Sequence, residues 1–234
     1  MPTVTIDGRT VTVATGRTVL QAAQDASITI PTLCYHKDLT PVGSCRLCLV
    51  EIEGSAGLAA ACMLPVAEGM VVRTETPALA ERRRFVLELL LLRYADAGQA
   101  AGDRDETEFQ HWVRRYGARP PQDALATPRY PVDSDPNPFV RVDLNKCILC
   151  TRCVRACDEL EGAHTWDVAG RGANSKLVTD MAQPWGESAT CTSCGKCVQC
   201  CPTGALFDKQ ASAGGMVKQP EFLRVLQHER ERRP

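Results

Sequence analysis

Thirteen cysteines fall into an order that few chemistries explain. Two runs repeat one spacing: Cys147-x2-Cys150-x2-Cys153-x3-Cys157, and Cys191-x2-Cys194-x2-Cys197-x3-Cys201 followed by Pro202. Upstream, Cys34, Cys45, Cys48 and Cys62 are spaced C-x10-C-x2-C-x13-C. Thiolates are soft donors that suit zinc or clusters of iron and sulfide. Structural zinc takes four ligands, usually as two separated pairs, and a four-cysteine run occurring twice overshoots that demand. Disulfides need an oxidising compartment. The chain opens at Met1-Pro2-Thr3-Val4 with no charged n-region and apolar h-region. No export signal is visible, so the thiols are expected to stay reduced in the cytoplasm. The spacing therefore points to iron–sulfur clusters, and the chemistry to one-electron transfer.

The doubled run resembles bacterial-type two-cluster ferredoxins. In that pattern three thiolates of a run hold one [4Fe–4S] cluster and the fourth crosses to the other. The resemblance implies that Cys147, Cys150, Cys153 and Cys201 hold one cubane, and that Cys157, Cys191, Cys194 and Cys197 hold the second. Cys34, Cys45, Cys48 and Cys62 resemble the plant-type [2Fe–2S] plan, three cysteines on one stretch and a distant fourth. Structural zinc is the rival reading there. Cys200 is the odd thiol. It adjoins Cys201, and adjacent residues cannot serve the same corner of a cluster, so it reads as a packing residue.

Composition limits the alternatives. The 234 residues allow about two domains. A formal charge of −1 sets up no field for nucleic acid or an anionic membrane. The longest apolar stretch, Phe85 to Leu92, contains Glu88 and is bounded by Arg82-Arg83-Arg84 and Arg93, too short for a bilayer.

The elements that must position the thiols are partly readable. Val4-Thr5-Ile6 and Val11-Thr12-Val13 flank Asp7-Gly8, a hairpin signal. Thr18 to Asp25 has helical composition, and strands are expected at Leu49–Glu53 and Met70–Thr74. This order is that of a β-grasp ferredoxin fold over residues 1–75. Gly43-Ser44 and Ala59-Ala60-Ala61 are small enough to let backbone amides approach sulfur. Thr76-Pro77, an N-cap and a first-position proline, predicts a helix to about Arg93. A second is expected from about Glu106 to Tyr116, closed by Gly117, which completes a helical segment over 76–117. Six prolines within 118–140 mark an extended linker and the domain boundary. The two-cluster domain is expected over 141–210, with a short helix through Val154–Glu159 and a turn and strand at Thr203–Phe207. The stretch 158–190 is longer than two clusters require; Gly170-Arg171-Gly172 and Pro184-Trp185-Gly186 suggest an inserted hairpin or loop. Residues 211–234 read as a flexible break and a C-terminal helix bearing Phe222, Leu223, Val225 and Leu226. The fold class is α+β.

Taken together, the chain resembles the diaphorase small iron–sulfur subunit of NAD-linked bidirectional [NiFe]-hydrogenases, and is similar to the N-terminal part of the large iron–sulfur subunit of complex I. The matching motifs are Pro31-Thr32-Leu33-Cys34-Tyr35, Cys45-Arg46-Leu47-Cys48, Asn145 through Arg155, Glu161-Gly162-Ala163-His164 and Cys191 through Cys197. The resemblance implies an FMN- and NAD-binding diaphorase subunit on one side. On the other it implies a hydrogenase, or in related complexes a formate dehydrogenase. It departs at one site. The family usually carries another [4Fe–4S] cluster held by one histidine and three cysteines, and those positions fall here on Tyr94, Gly98, Ala101 and Thr107. None ligates iron, so this cubane is expected to be missing and the helical segment to serve as scaffold. His111 lies outside that pattern, and His164 reads as a hydrogen-bonding loop residue.

No G-x-G-x-x-G follows a strand and no Walker-type loop is present, so NAD and FMN are expected only on a partner, and no catalytic residue is assigned in this chain. Hydride chemistry needs a two-electron cofactor, which a flavoprotein partner must supply. Lys146, Arg152, Arg155 and Lys196 adjoin ligands and are expected to favour the reduced clusters.

Overall fold

A computed structural model describes residues 1–95, 107–120, 128–131 and 135–208. The expected C-terminal helix lies outside the described residues, as do Gly98 and Ala101.

The N-terminal sheet has five strands in the order β2-β1-β5-β3-β4. Strands β1 (Thr3–Ile6) and β2 (Arg9–Thr12) form the expected hairpin, paired Thr3 to Thr12 and Ile6 to Arg9. Its turn needs left-handed backbone at both central residues, which Asp7 (φ 46°) and Gly8 (φ 80°) provide. Strand β5 (Met70–Arg73) runs parallel to β1, and β3 (Leu49–Ile52) runs antiparallel to β5. Strand β4 (Leu58–Ala60) pairs with β3 and was not foreseen. The small residues at 59–61 are therefore spent on sheet edge and backbone pairing: Ala61 N–H donates to the Cys48 carbonyl at 3.1 Å, not to sulfur.

Helix α1 (Val19–Asp25) buries Val19, Leu20, Ala22 and Ala23 against this sheet. Thr18 and Gln21 form a reciprocal capping box at its start. Helix α2 (Pro77–Leu91) begins as expected, with the Thr76 hydroxyl accepting from Leu79 N–H at 3.2 Å. Thr76→Ala should cost about 1 kcal/mol of stability, read as a lowered denaturation midpoint with cluster content unchanged. The leucine-rich end is divided. Leu87 and Leu91 are buried, whereas Phe85 and Leu89 are exposed. Helix α3 (Glu108–Arg115) is capped by Thr107, and Tyr94 packs on Phe109 with ring centroids 4.9 Å apart. Two of the positions aligned with the family's histidine–cysteine site, Thr107 and Tyr94, thus serve as a helix cap and a partly buried aromatic packed on the core.

Beyond them, β6 (Val140–Val142) pairs with β9 (Leu206–Asp208), bracketing the two cysteine runs. Between the runs stands a hairpin of β7 (Trp166–Ala169) and β8 (Lys176–Thr179), at the place the glycines suggested. Its turn tolerates no side chain at Gly170, where a Cβ would lie 2.4 Å from the Asn174 carbonyl oxygen.

Candidate metal centres

Both C-terminal runs fold through the same backbone path. Leu149 (φ 54°) and Thr151 (φ 58°) in the first match Ser193 (φ 57°) and Gly195 (φ 73°) in the second, all left-handed. A non-glycine residue held there costs roughly 1–3 kcal/mol and persists only where its surroundings dictate it. The turn aims main-chain donors at sulfur. Leu149 N–H reaches Cys147 Sγ at 3.4 Å, and Ser193 N–H reaches Cys191 Sγ at the same 3.4 Å. A short helix follows each run at the same offset, α4 (Arg152–Arg155) and α5 (Lys196–Gln199), and carries the third cysteine. A π-helical turn, Ala156–Glu161, extends α4 and places Cys157.

These paths bring the fourth cysteine of each run to the other. Cys157, Cys191, Cys194 and Cys197 wall one cavity together, with Trp166 and Trp185 behind them. Thr165 N–H donates to Cys157 Sγ at 3.2 Å. On the other side burial, and then the charges of Cys150, Cys147, Cys201 and Cys200, oppose the ionisation of Cys153. Burial pushes Cys147 up to about 11 and Cys197 to about 12, and raises Cys150 and Cys153 as well. Buried thiols that repel each other's charge become thiolates at neutral pH only against a metal's positive charge. The donor sets fit [4Fe–4S] clusters in this respect. Among the described residues no three or more His, Cys, Asp or Glu groups close to the spacing of a single-ion site; Cys157, Cys191, Cys194 and Cys197 line a cavity instead.

The N-terminal cysteines lie at one end of the five-stranded sheet. Cys48 and Cys62 approach to 3.4 Å between sulfurs. Cys34 is held down at about 5, chiefly by the Cys45 thiol donating to it, with Ser44 and Cys45 amides adding to the effect against burial. Cys45 and Cys62 are pushed up, first by their partners Cys34 and Cys48 and then by burial. Gly43-Ser44 does bring an amide to sulfur as expected. Arg46 (φ 58°) repeats the left-handed turn seen in the other runs. Cys34, Cys48 and Cys62 are buried and Cys45 is half-buried, a set that fits a [2Fe–2S] cluster.

Three of the four cations singled out beside ligands turn out to serve the scaffold. Arg155 donates to the carbonyls of Cys34 at 2.5 Å, Thr40 at 2.6 Å and Cys150 at 3.4 Å, so one guanidinium fastens two ligand loops. Arg152 forms a two-pronged pair with Glu108 at 2.8 and 2.9 Å. Lys196 pairs with Glu161. Arg152 also favours the Cys150 thiolate, and Cys194 in turn favours the charged form of Lys196. His164 is exposed and bonds Asp158 at 3.0 Å. Cys200 is buried against Leu39 and Ala156, its thiol directed at the Cys197 carbonyl. Sequence reasoning missed the two tryptophans; the Pro184-Trp185-Gly186 motif was the signal that could have found one.

Residues 1–77 match the family described as a 2Fe-2S iron-sulfur cluster binding domain, and residues 137–207 match the NADH-quinone oxidoreductase subunit 3 ferredoxin-like domain. The mitochondrial NADH-ubiquinone oxidoreductase 78 kDa subunit of Candida albicans is 34% identical over 88% of this chain and 28% of its own length. The NADP-reducing hydrogenase subunit HndD of Solidesulfovibrio fructosivorans is 36% identical over 90% of this chain and 36% of its own. The chain thus spans about a quarter to a third of these curated relatives. A chain of the NAD+-reducing [NiFe]-hydrogenase crystallised in the H2-reduced state superposes with a TM-score of 0.79 at 31% identity, covering 92% of this chain and 90% of that one. The chain belongs to the iron–sulfur subunit family shared by NAD-linked [NiFe]-hydrogenases and complex I. For this family member the α+β architecture, with a [2Fe–2S] ferredoxin domain first and a [4Fe–4S] ferredoxin-like domain after it, is the expected one.

Proposed function

We propose that this subunit relays single electrons between an FMN- and NAD-binding diaphorase subunit and a [NiFe]-hydrogenase in the cytoplasm. The ligand sets are Cys34, Cys45, Cys48 and Cys62 for one [2Fe–2S] cluster, and two cubane sets, Cys147, Cys150, Cys153, Cys201 and Cys157, Cys191, Cys194, Cys197. Bound there, such clusters accept and release one electron at a time. The observation that carries the reading is the crossing of the runs, with Cys157 sharing a cavity with Cys191, Cys194 and Cys197.

The chain's own residues hold the sites together and keep water from them. Leu33, Leu47, Leu87, Leu91, Phe109 and Ile148 form one buried cluster, against which Cys45 and Cys150 both pack. The helical segment therefore acts as the scaffold on which the N-terminal and C-terminal ligand loops meet. Arg155 locks that junction, and Thr40 N–H donates to Glu159 across it at 2.7 Å. Of the proposed ligands Cys194 alone is exposed, which gives the second cubane set the open end of the subunit. No described helix is long and apolar enough to cross a membrane.

Purification of the native assembly under anaerobic conditions tests the partners. A flavin-containing subunit and nickel should copurify, and NADH should reduce this subunit only when the flavin subunit is present. Molybdenum or tungsten in place of nickel would favour the formate dehydrogenase alternative. Direct reduction of the isolated subunit by NADH would contradict the division of labour.

A further inference from the structure

The insertion between the cysteine runs brings two tryptophans to one thiol set, one of them with its indole N–H on sulfur. Trp185 Nε1 donates to Cys191 Sγ at 3.1 Å. The Trp166 ring lines the same cavity beside Cys197. The two rings stack edge to face with centroids 4.9 Å apart, and each residue is 4% exposed. They form the wall between the thiol cavity and a broad groove lined by Tyr130, Leu177 and Pro184.

The placement is built. Asp135 accepts from Trp185 N–H at 2.6 Å and Gly186 N–H at 2.9 Å, pinning the loop to the linker. Gly186 lies so close to the linker that a Cβ would come 2.4 Å from Asn137 N. Strand β8 registers Thr179 opposite Trp166, which fixes the second ring. Among the hydrogen bonds described, indole donation to sulfur occurs only at this set; Cys147 and Cys150 receive backbone amides.

We propose that Trp185, its ring backed by Trp166, raises the reduction potential of the cluster held by Cys157, Cys191, Cys194 and Cys197. The inference rests on the ligand assignment proposed above. One added electron places extra negative charge on the cluster and its sulfurs. A fixed N–H donor stabilises the more negative state more than the less negative one. Excluding water works in the opposite direction by penalising added charge, so the hydrogen bond and the ring wall have separable effects. Trp→Phe removes the donor and keeps most of the wall. The insertion, which two clusters do not require, acquires a purpose: it tunes the cubane that carries the exposed Cys194.

The test is an EPR-monitored redox titration of the purified complex with W185F, alongside iron analysis. One cubane signal should shift so that its reduced-to-oxidised ratio at fixed potential falls about tenfold, about 59 mV for one electron. The other cubane and the [2Fe–2S] signal should stay in place. An unmoved potential at unchanged iron content overturns the role of the Trp185 indole, whereas a wild-type complex short of one cubane overturns the ligand assignment beneath it. If W185F fails to retain its cluster, the isotope measurement on the unsubstituted complex decides. Labelling tryptophan with indole 15N needs no substitution. Electron–nuclear double resonance should show a 15N coupling on one cubane signal, and its absence contradicts the N–H···S contact.

Discussion

Cys157→Ala is expected to remove one cubane whole, lowering the iron content from about ten to about six atoms per subunit. The residue lies ten positions past Cys147, and a within-run reading would assign it to the first cluster. The fold directs it elsewhere. The π-helical turn after α4 swings Cys157 into the cavity walled by Cys191, Cys194 and Cys197, and Thr165 N–H caps its sulfur at 3.2 Å. The cubane lost on Cys157→Ala should therefore be the one whose potential responds to W185F. Cys201→Ala should delete the other, because Cys201 keeps company with Cys147, Cys150 and Cys153. Cys200→Ala provides the control. Its side chain packs on Leu39 and Ala156, so all the iron should remain. Loss of the W185F-insensitive signal on Cys157→Ala would overturn the crossed assignment.

Arg83→Met should destabilise the subunit by about 3–5 kcal/mol, the usual cost of removing one member of a buried charged network. Arg83 is fully buried in α2. It donates to Glu75 Oε2 at 2.6 Å, Tyr116 Oη at 3.0 Å, and the carbonyls of Leu49 at 2.9 Å and Thr74 at 2.7 Å. One side chain thus ties β3, the end of β5, α2 and the residue that closes α3. Methionine fills similar volume but leaves two buried carbonyls without that donor and Glu75 without its cation. For a chain of this size the loss corresponds to a fall of roughly 10 °C in the unfolding midpoint. Arg83→Lys should recover only part of it, since an ammonium cannot span four acceptors in a planar fork. Differential scanning calorimetry decides the matter, and a shift under about 2 °C would show that the network contributes little.

What could be read in advance was whatever is encoded locally. The Asp7-Gly8 turn and the Thr76-Pro77 helix start act over a few residues, and each stands where it was expected. Contacts between distant segments were beyond reach. Arg83 sits in the run Arg82-Arg83-Arg84, which was read only as the charged boundary of an apolar stretch. Its spacing of four from Leu79 and Leu87, both buried, placed it on the apolar face of α2 all along. Strand β4 was missed because Leu58-Ala59-Ala60 has weak strand propensity and is held by pairing with β3. Arg155 seemed to be a charge beside a cluster. Its role as a clasp depends on carbonyls more than 100 residues away in sequence, Cys34 and Thr40. Trp185 was noted only as part of a loop motif, because nothing local ties residue 185 to the sulfur of Cys191.

The central claim is that three clusters occupy three crossed or paired cysteine sets, with none in the segment between the two ferredoxin domains. Iron and acid-labile sulfide, counted on the native complex per copy of this subunit together with low-temperature EPR, address it most directly. About ten irons, with one [2Fe–2S] and two [4Fe–4S] signals assigned to this subunit, is the expected result. About fourteen irons would show that a further cubane is held after all, and about three zincs in a colourless subunit would contradict the electron-transfer reading altogether.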